Sequence, residues 1–520
     1  MFIFLSCFLQ ANHISACPGV RIPKDVNDVQ TFHLNDEQLT HKRFIETTSA
    51  NFTTVEILNY KAVFYLCDLL IIRIVSRDWR RKPKSYGGDQ FRLKIYSDKP
   101  YSAENADKIL DFNNGTYLVY FTLRWSGHVK VQIKLIHPAE LLPQLQLTLQ
   151  GKVGQDFSFL GGFVSNNVSE DVICRYVELP KPHCNLSNPR THGPWFCQQP
   201  KDRGLTCKDW IFHKPLQGNF VKLGEKLTPL SRASIKQSHM VEVKNSHTVF
   251  VKNQVTPNMA FADSTLPFCS MRDPIPTSIA AAGHFFNNSW YPNDCKVFKF
   301  SPSETMSCLR NKKILIIGDS TIRQIFEFFQ HNFKEYFRLL PRPKGVNFNN
   351  GPIEMQNDIY NVSIYYRFHG LPRIGLVLKA EFIEYTVDKL DSVESGSKII
   401  VILSLWAHFV VTGRDFYVQR MKAVKSGIQN FLDRCPESKV IIKGANTREN
   451  TNVWSPLVSS EWNIMQHELV LRALFQDEKR VGFIDAFDIT RAQPYVDHIH
   501  PNATIIEEFV NRILTYLCKN

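Results

Sequence analysis

The second half of the chain alternates short apolar segments with amphipathic ones, and this alternation limits the folds open to it. Residues 314–317 read Ile-Leu-Ile-Ile, which fits a strand buried on both faces. The next segment places apolar side chains on one helical face: Ile322, Ile325, Phe326, Phe329 and Phe333. Further apolar strands are predicted at 399–405, 440–442 and 481–484, and helices near 415–434, 459–477 and 503–517. This order predicts a parallel sheet flanked by helices, with any chemistry at the carboxyl ends of the strands.

The first half has the rhythm of β structure. Residues 91–96 and 129–136 alternate apolar and polar side chains, and 117–123 forms another strand-like run between turns at 111–116 and 126–127. Short strands separated by turns over about a hundred residues favour a β-sandwich. Residues 141–310 are less regular and hold most of the twelve cysteines, which predicts a cysteine-rich connector.

The cysteines and glycosylation sequons indicate an oxidising compartment. Cys174, Cys184, Cys197 and Cys207 are spaced by ten, thirteen and ten positions without a C-x2-C pair, so we expect disulfides of unspecified pairing and no metal. Residues 1–16 resemble a signal peptide that lacks a charged n-region; a buried strand is the alternative. Six sequons are glycosylation candidates: Asn51, Asn114, Asn167, Asn185, Asn287 and Asn361.

The net charge of +13 suits acidic partners such as sialylated glycans, but it equally fits a solvated basic face. Nucleic acid is not an expected partner, because the basic residues belong to no recognisable nucleic-acid module. The basic run within 73–94 is either a binding surface or a solvated strand edge. No transmembrane span is evident, since the best candidate, residues 62–75, is short and charged and fits a buried strand better.

Two short segments carry the residues for serine chemistry. Ser320 follows Gly318 and Asp319 where the first apolar strand meets a helix, and free N–H groups there can stabilise an oxyanion. Taken alone, this tripeptide equally fits an ordinary helix cap. Asp497 and His500 follow the last strand, three positions apart, so the carboxylate can orient the imidazole towards the serine. Both segments lie at carboxyl ends of strands, which favours the catalytic interpretation.

Gly-Asp-Ser near the start of an α/β domain and Asp-x-x-His near its end resemble the PC-esterase branch of the SGNH hydrolases. With the filamin-like strands and the cysteine-rich segment, nearly the full chain resembles the NXPE family, most distinctively at 86–89, 111–117, 318–324 and 500–501. The resemblance implies an immunoglobulin/filamin-like (neurexophilin-like) β-sandwich at 45–140, a connector at 141–310 and an α/β SGNH-hydrolase-like domain at 311–520. It also implies Ser320 as nucleophile, His500 as general base and Asp497 as its orienting acid, with His498 as a weaker alternative base.

The oxyanion hole departs from the pattern of ordinary SGNH hydrolases. Their asparagine-containing block is replaced by Trp406-Ala-His408-Phe409, so His408 is either a substitute donor or a structural histidine. Gly318 and Asp319 are further oxyanion or substrate candidates. Arg323 belongs to the family's Gly-Asp-Ser-x-x-Arg pattern and either contacts the oxyanion or an anionic substrate, or forms a surface salt bridge.

The resemblance implies a glycan O-acetyltransferase with an acetyl-serine intermediate. The expected acceptor is a glycoprotein glycan, with sialic acid preferred, and the acetyl donor is a co-substrate such as acetyl-CoA; no bound cofactor is expected. The alternatives are a glycan O-acetyl esterase and a non-catalytic extracellular ligand. We expect the protein in the Golgi lumen or secreted, with the sequon at Asn502 unoccupied because a glycan there would crowd His500.

Overall fold

The computed structural model describes residues 17, 20, 43–152, 157–216, 230, 241–242, 248–255, 266–372, 375, 377–448, 460–493 and 499–519. The predicted signal peptide, Asp497 and His498 lie outside these residues. Elements are numbered below along the described chain.

The N-terminal part of the chain is β-rich, as its alternation predicts. Its strands are β1 (Thr54–Ile57), β2 (Phe64–Leu66), β3 (Leu69–Val75), β4 (Gln90–Asp98), β5 (Tyr101–Asn105), β6 (Lys108–Asp111), β7 (Thr116–Thr122) and β8 (Gly127–His137). One antiparallel sheet has the order β1-β3-β7-β6, and β5, β4, β8 and β2 belong to a second sheet. The two sheets share one apolar cluster, in which Ile72, Phe121 and Val131 are buried. They therefore form a sandwich closed by side chains from both sheets.

The single strand predicted at residues 62–75 is in fact two strands in different sheets. The chain turns at Cys67, which has a φ of +67° and forms a disulfide with Cys17. The Asp68 carboxylate accepts a hydrogen bond from the Tyr65 amide at 3.0 Å, which closes this turn. The sequence does not reveal where β2 ends and β3 begins, because both strands bury their apolar side chains in the same core.

The segment predicted as a connector contains regular structure of its own. It holds helix α1 (Leu142–Leu149) and the strands β9 (Phe159–Ser165), β10 (Val168–Arg175), β11 (His183–Asn185), β12 (Phe196–Gln198), β13 (Trp210–Pro215), β14 (Val241–Glu242), β15 (Thr248–Val255), β16 (Gly283–Phe286) and β17 (Ser289–Pro292). Strands β9 to β13 form a third sheet, which β22 (Leu378–Lys379) extends. Strands β14 to β17 join the second sandwich sheet. The domain limits themselves stay predictions.

The cysteine pairing that the sequence left open is now defined for the described residues. The disulfides are Cys17–Cys67, Cys174–Cys197, Cys184–Cys207, Cys269–Cys295 and Cys308–Cys518. Cys174 and Cys197 are register partners on β10 and β12, so their disulfide crosses two neighbouring strands of the third sheet. Cys435 is a buried free thiol.

The C-terminal part of the chain is an α/β domain. Its remaining elements are α2 (Pro302–Leu309), β18 (Lys313–Gly318), α3 (Ser320–Asn332), β19 (Arg338–Leu339), β20 (Ile353–Asn357), β21 (Val362–Arg367), α4 (Thr386–Asp391), β23 (Ile399–Ser404), α5 (Arg414–Arg434), β24 (Lys439–Lys443), α6 (Glu461–Phe475), β25 (Val481–Ile484), α7 (Ala486–Ala492) and α8 (Ala503–Cys518). The sheet order is β19-β20-β21-β18-β23-β24-β25, parallel from β21 onward and antiparallel at the β19–β21 edge. The carboxyl ends of the parallel strands therefore meet at one edge.

Both faces of this sheet are covered, as the apolar runs predict. Ile314 and Ile316 of β18 belong to the cluster that contains side chains of α3 and α8. Leu315 and Ile317 belong to the cluster on the other face, with side chains of α5. Alternate side chains of one strand thus enter two cores, which explains why no polar position interrupts residues 314–317.

Buried polar contacts join the sandwich to the α/β domain. Arg92 of β4 forms a buried ion pair with Glu461 at the start of α6. Lys94 Nζ donates to the Gln493 carbonyl at 3.0 Å, just after α7. Asn105 Nδ2 donates to the Asp488 carboxylate at 2.6 Å. Among the helices that the structure describes, none combines the length and the apolar character needed to cross a bilayer.

Candidate active site

The nucleophile candidate lies at a tight junction between β18 and α3. Gly318, the last residue of β18, pairs with Ser404 of the neighbouring strand β23. A Cβ atom on Gly318 would lie 2.1 Å from the Ser404 carbonyl oxygen, so only glycine fits here. Ser320 follows as the first residue of α3 and is half-buried. The backbones of β18 and β23 therefore approach closely at Gly318, directly before the chain leaves the sheet and begins α3 at Ser320.

Asp319 holds this junction from inside. Its buried carboxylate accepts hydrogen bonds from the Thr321 amide at 2.8 Å, the Thr321 hydroxyl at 2.6 Å and the Ala407 amide at 2.9 Å. Trp406 Nε1 donates to the Thr321 hydroxyl at 3.1 Å. The segment after β23 is thus tied to the nucleophile turn. These partners make Asp319 a helix cap and an anchor between strands.

His500 contacts Ser320 directly. Its Nε2 lies 2.8 Å from the Ser320 Oγ, which is the geometry that a general base needs to accept the hydroxyl proton. His500 is on the short segment between α7 and α8, where Pro501 is buried and Asn502 caps α8 by accepting from the Ile505 amide. The two residues are 180 positions apart in the sequence. The fold therefore brings together the serine and the histidine that the sequence singled out.

The surroundings of His500 favour its neutral form. Partial desolvation by neighbouring protein atoms is the main cause that lowers the pKa of the imidazole below its ordinary value. The positive charges of Arg323 and Arg448 add to this effect, while the Asp319 and Glu327 carboxylates oppose it. A neutral imidazole is the form that accepts a proton, so the lowered pKa prepares His500 for the role of base.

The third triad candidate is outside the described chain. Asp497 and the alternative base His498 fall within residues 494–498, so their positions stay predictions. The Nε2 atom of His500 faces the serine, which leaves Nδ1 as the nitrogen that an orienting carboxylate would contact.

Three further sequence candidates, Arg323, His408 and Gly318, have protein partners. Arg323, on α3, donates from Nε to Glu327 at 2.7 Å and from Nη1 to the Asn349 carbonyl at 3.1 Å. The His408 ring packs against Phe368 and His369, with centroids 5.5 and 5.4 Å apart. Gly318 presents its carbonyl to the Tyr366 hydroxyl at 3.2 Å. The amide of Ser320 itself occupies the first helical position, where a backbone N–H has no acceptor within the helix, so it is an oxyanion-hole candidate.

Sequence reasoning missed several residues around the pair. Arg448 acts on the pKa of His500, Gln324 contacts the residue after it, and Asn446 contacts the residue before it. Asn446 and Arg448 follow β24, so the rule that chemistry lies at the carboxyl ends of parallel strands gives a signal for both. Gln324 lies one helical turn beyond Ser320, a spacing that puts both side chains on one face of α3.

The other sequence candidates occupy the surface. The six candidate sequon asparagines are exposed, which leaves each accessible to modification. Asn502 is exposed too, although its side chain caps α8.

Cys269, Asp273 and Cys295 lie close enough together to suggest a metal site, but the two cysteines form a disulfide and offer no thiolate.

Several side chains of the basic run within residues 73–94 contact other protein groups and are not free to form a binding surface. Lys84 is buried in an ion pair with Glu140, and Arg80 pairs with Glu46 at 2.7 Å. Arg77 Nη1 donates to the Arg81 carbonyl at 3.0 Å. These contacts give part of the run a structural role.

Comparison with known proteins agrees with this organisation. Residues 290–518 match the family model described as NXPE family member 4-like, C-terminal domain, and residues 45–223 match the Neurexophilin model. The chain is also similar to the N-acetylneuraminate (7)9-O-acetyltransferase of Danio rerio, with 23% identity over 212 residues. That match covers 40% of this chain and 26% of the relative, so the chain spans about a quarter of that protein. A neurexophilin region followed by an NXPE-type C-terminal domain identifies the chain as a member of the NXPE family.

Proposed function

We propose that the protein is a serine-dependent glycan O-acetyltransferase and that its α/β domain is of the SGNH type. The observation that carries this proposal is the 2.8 Å contact between Ser320 Oγ and His500 Nε2 at the carboxyl edge of a parallel sheet. The printed name of the Danio rerio relative, an acetyltransferase of N-acetylneuraminate, supports acetyl transfer to a sialic acid. Asp497 completes the triad in this proposal.

The first step transfers the acetyl group to the enzyme. The Ser320 Oγ attacks the carbonyl carbon of the donor while its proton passes to His500 Nε2. The resulting oxyanion is stabilised by the Ser320 amide at the start of α3, where the helix dipole also favours negative charge. The bond to the donor's leaving group then breaks, and His500 returns its proton to that group. With acetyl-CoA as donor, the leaving group is the thiol.

The second step passes the acetyl group to the sugar. An acceptor hydroxyl gives its proton to His500 and attacks the acetyl-serine carbonyl carbon, and collapse of the intermediate expels Ser320 Oγ. His500 then returns the proton to the serine. Water in place of the sugar gives hydrolysis, so the outcome depends on holding the acceptor near the ester and keeping water away.

Positive charge near His500 supports an acidic acceptor. Arg323 and Arg448 both act on the His500 pKa, which places two guanidinium groups within electrostatic reach of the reacting hydroxyl. Arg323 already donates from Nε to Glu327 and from Nη1 to Asn349, so in this proposal its Nη2 is the group that contacts the carboxylate of a sialic acid. A positively charged chain with five disulfides among its described residues fits work on glycoproteins in the Golgi lumen or outside the cell.

A second candidate function is favoured by the Neurexophilin match at residues 45–223. In that case the sandwich, with an immunoglobulin/filamin-like fold, is the active part and binds an extracellular receptor or glycan. The α/β domain would then serve as a scaffold, and loss of Ser320 would leave binding intact.

The test is expression of the full chain in cells that display sialoglycans, followed by mass spectrometry of sialic acid O-acetylation. The wild type should raise O-acetylation, and Ser320→Ala should abolish the increase. The exposed Ser392, the residue directly after α4, gives a control variant, Ser392→Ala, that should act like the wild type. A fall in O-acetylation with wild type would indicate an esterase, and no change with any variant would refute both enzymatic functions.

A further inference from the structure

The peptide that carries His500 is held from both sides by side chains of the α/β domain. Gln324 Nε2 donates to the Pro501 carbonyl at 2.9 Å, directly after the histidine. Asn446 Nδ2 donates to the Ile499 carbonyl at 3.1 Å, directly before it. The two carbonyls flank the histidine, so these hydrogen bonds fix the backbone on which the imidazole turns.

The bond from Gln324 links the base to the nucleophile. Gln324 and Ser320 lie on the same helix, one turn apart, and α3 begins rigidly at the buried Asp319 cap. A shift of the histidine segment relative to α3 would therefore lengthen the Gln324–Pro501 contact and the Ser320–His500 contact together. Gln324 therefore links the helix that carries Ser320 to the segment that carries His500.

The bond from Asn446 depends on a buried lysine. Lys443 Nζ donates to the Asn446 Oδ1 at 2.7 Å and to the Gly444 carbonyl at 3.0 Å. Because the lysine occupies the amide oxygen, the amide nitrogen of Asn446 is the end that faces Ile499. Lys443 and Asn446 are both fully buried, so this orientation is protected from water.

Two opposing effects act on the protonation of the buried Lys443 ammonium group. Burial lowers the pKa of Lys443 to about 8, and the carboxylates of Asp319 and Glu468 favour its charged form. The ammonium group thus lies within electrostatic reach of the same Asp319 that caps the nucleophile helix. Asn446, Lys443 and Asp319 connect the histidine segment to the nucleophile turn through the interior of the domain.

We infer that Gln324 and Asn446 are positioning residues, which keep His500 Nε2 within hydrogen-bond distance of Ser320 Oγ. They act through the backbone of the histidine segment. The inference rests on the proposed role of His500 as general base. A misplacement of about 1 Å costs on the order of 100-fold in rate for aligned reacting groups, so loss of either bond should slow acylation of Ser320 about 10- to 100-fold.

The experiment measures the rate at which a fluorophosphonate probe labels Ser320 in the full chain, with Ser320→Ala as the blank. Gln324→Met keeps the length of the side chain and removes its donor. Asn446→Asp keeps the acceptor for Lys443 and replaces the donor that faces Ile499. Gln429→Met and Asn357→Asp are the matched controls, since these amides donate to Glu478 and to the Tyr336 carbonyl in other parts of the domain.

Both test variants should label about 10- to 100-fold more slowly than the wild type, while the controls stay within about threefold. The acid limb of the labelling rate should also move to higher pH in Gln324→Met, which adds no charge, because an imidazole released towards solvent regains its ordinary pKa. A purely structural role would lower the thermal midpoint of unfolding and leave that limb in place. If Gln324→Met fails to fold, Gln324→Glu tests the same bond with a carboxylate facing the Pro501 carbonyl.

The outcomes separate this inference from the proposed function. Wild-type labelling rates in the test variants and an unmoved acid limb in Gln324→Met would overturn the inference and leave the function standing. Slow labelling in the variants, without any effect of the wild type on cellular O-acetylation, would support the positioning role and refute the transferase. A wild type that the probe does not label at Ser320 would overturn both.

Discussion

The tightest geometric constraint in the site is at Gly318, and its replacement by alanine gives a sharp prediction. The new Cβ would lie 2.1 Å from the Ser404 carbonyl oxygen and 2.7 Å from the Ile322 Cγ2. Both obstacles are fixed: Ser404 belongs to the central strand β23, and Ile322 is fully buried. Relief to the 3.0 Å that real Cβ contacts respect requires a shift of about 0.9 Å. The junction that carries Ser320 must absorb this shift.

A shift of that size would carry the Ser320–His500 contact from 2.8 Å towards the limit of a hydrogen bond. We therefore expect Gly318→Ala to slow acylation of Ser320 on the order of 100-fold, and to cost about 1–3 kcal/mol of stability through overpacking. Fluorophosphonate labelling measures the first effect and thermal unfolding the second. Gly427→Ala is the control: this glycine lies inside α5, where a new Cβ would lie 3.2 Å from Val387, and its replacement should leave the labelling rate of Ser320 unchanged. A Gly318→Ala labelling rate within threefold of wild type would refute the reasoning.

Two further predictions concern pH and the disulfides. Because the His500 pKa is lowered, the neutral base persists into mildly acidic solution, and the labelling rate should rise with pH to an inflection below about 6.5. Arg448→Gln should move this inflection upward, since one charge that disfavours the imidazolium is removed; an inflection at or above 6.5 in the wild type would contradict the environment described. The Cys308–Cys518 disulfide closes a separation of 210 residues, and the loop-entropy relation gives it about 5.4 kcal/mol, against about 3.4 kcal/mol for Cys174–Cys197 with its separation of 23. Urea unfolding of the two paired Cys→Ala variants should rank them in that order, and equal losses would count against the relation here.

The parts of the fold that the sequence predicts are those with strong local patterns. β18, β23, β24 and β25 are apolar runs bounded by amphipathic helices, and their order alone implies the parallel sheet. The contact between Ser320 and His500 was predictable for the same reason, since both residues follow carboxyl ends of strands. The edge strand β19 has two exposed residues and no period of its own, so only pairing with β20 makes it a strand.

Long-range polar contacts are the part that the sequence does not disclose. The Gln324 amide and the Pro501 carbonyl are 177 residues apart, and no local pattern indicates that they meet. The disulfide pairing within 174–207 has the same character, because equal spacings allow more than one connectivity. Such contacts follow from the tertiary arrangement, and they decide the precision of the site.

The contacts between the sandwich and the α/β domain indicate that the two work as one body. Glu461, at the start of α6, is buried between Arg92 of the sandwich and Arg491 of α7. Removing the sandwich would leave Glu461 and Arg491 at a newly exposed face and would free the Gln493 carbonyl that Lys94 holds, just before the segment that leads to His500. An isolated α/β domain would therefore lack the Arg92 ion pair at the start of α6 and the Lys94 hydrogen bond at the end of α7. The sandwich therefore holds the start of α6 and the end of α7 in the full chain, and activity assays should use the full chain.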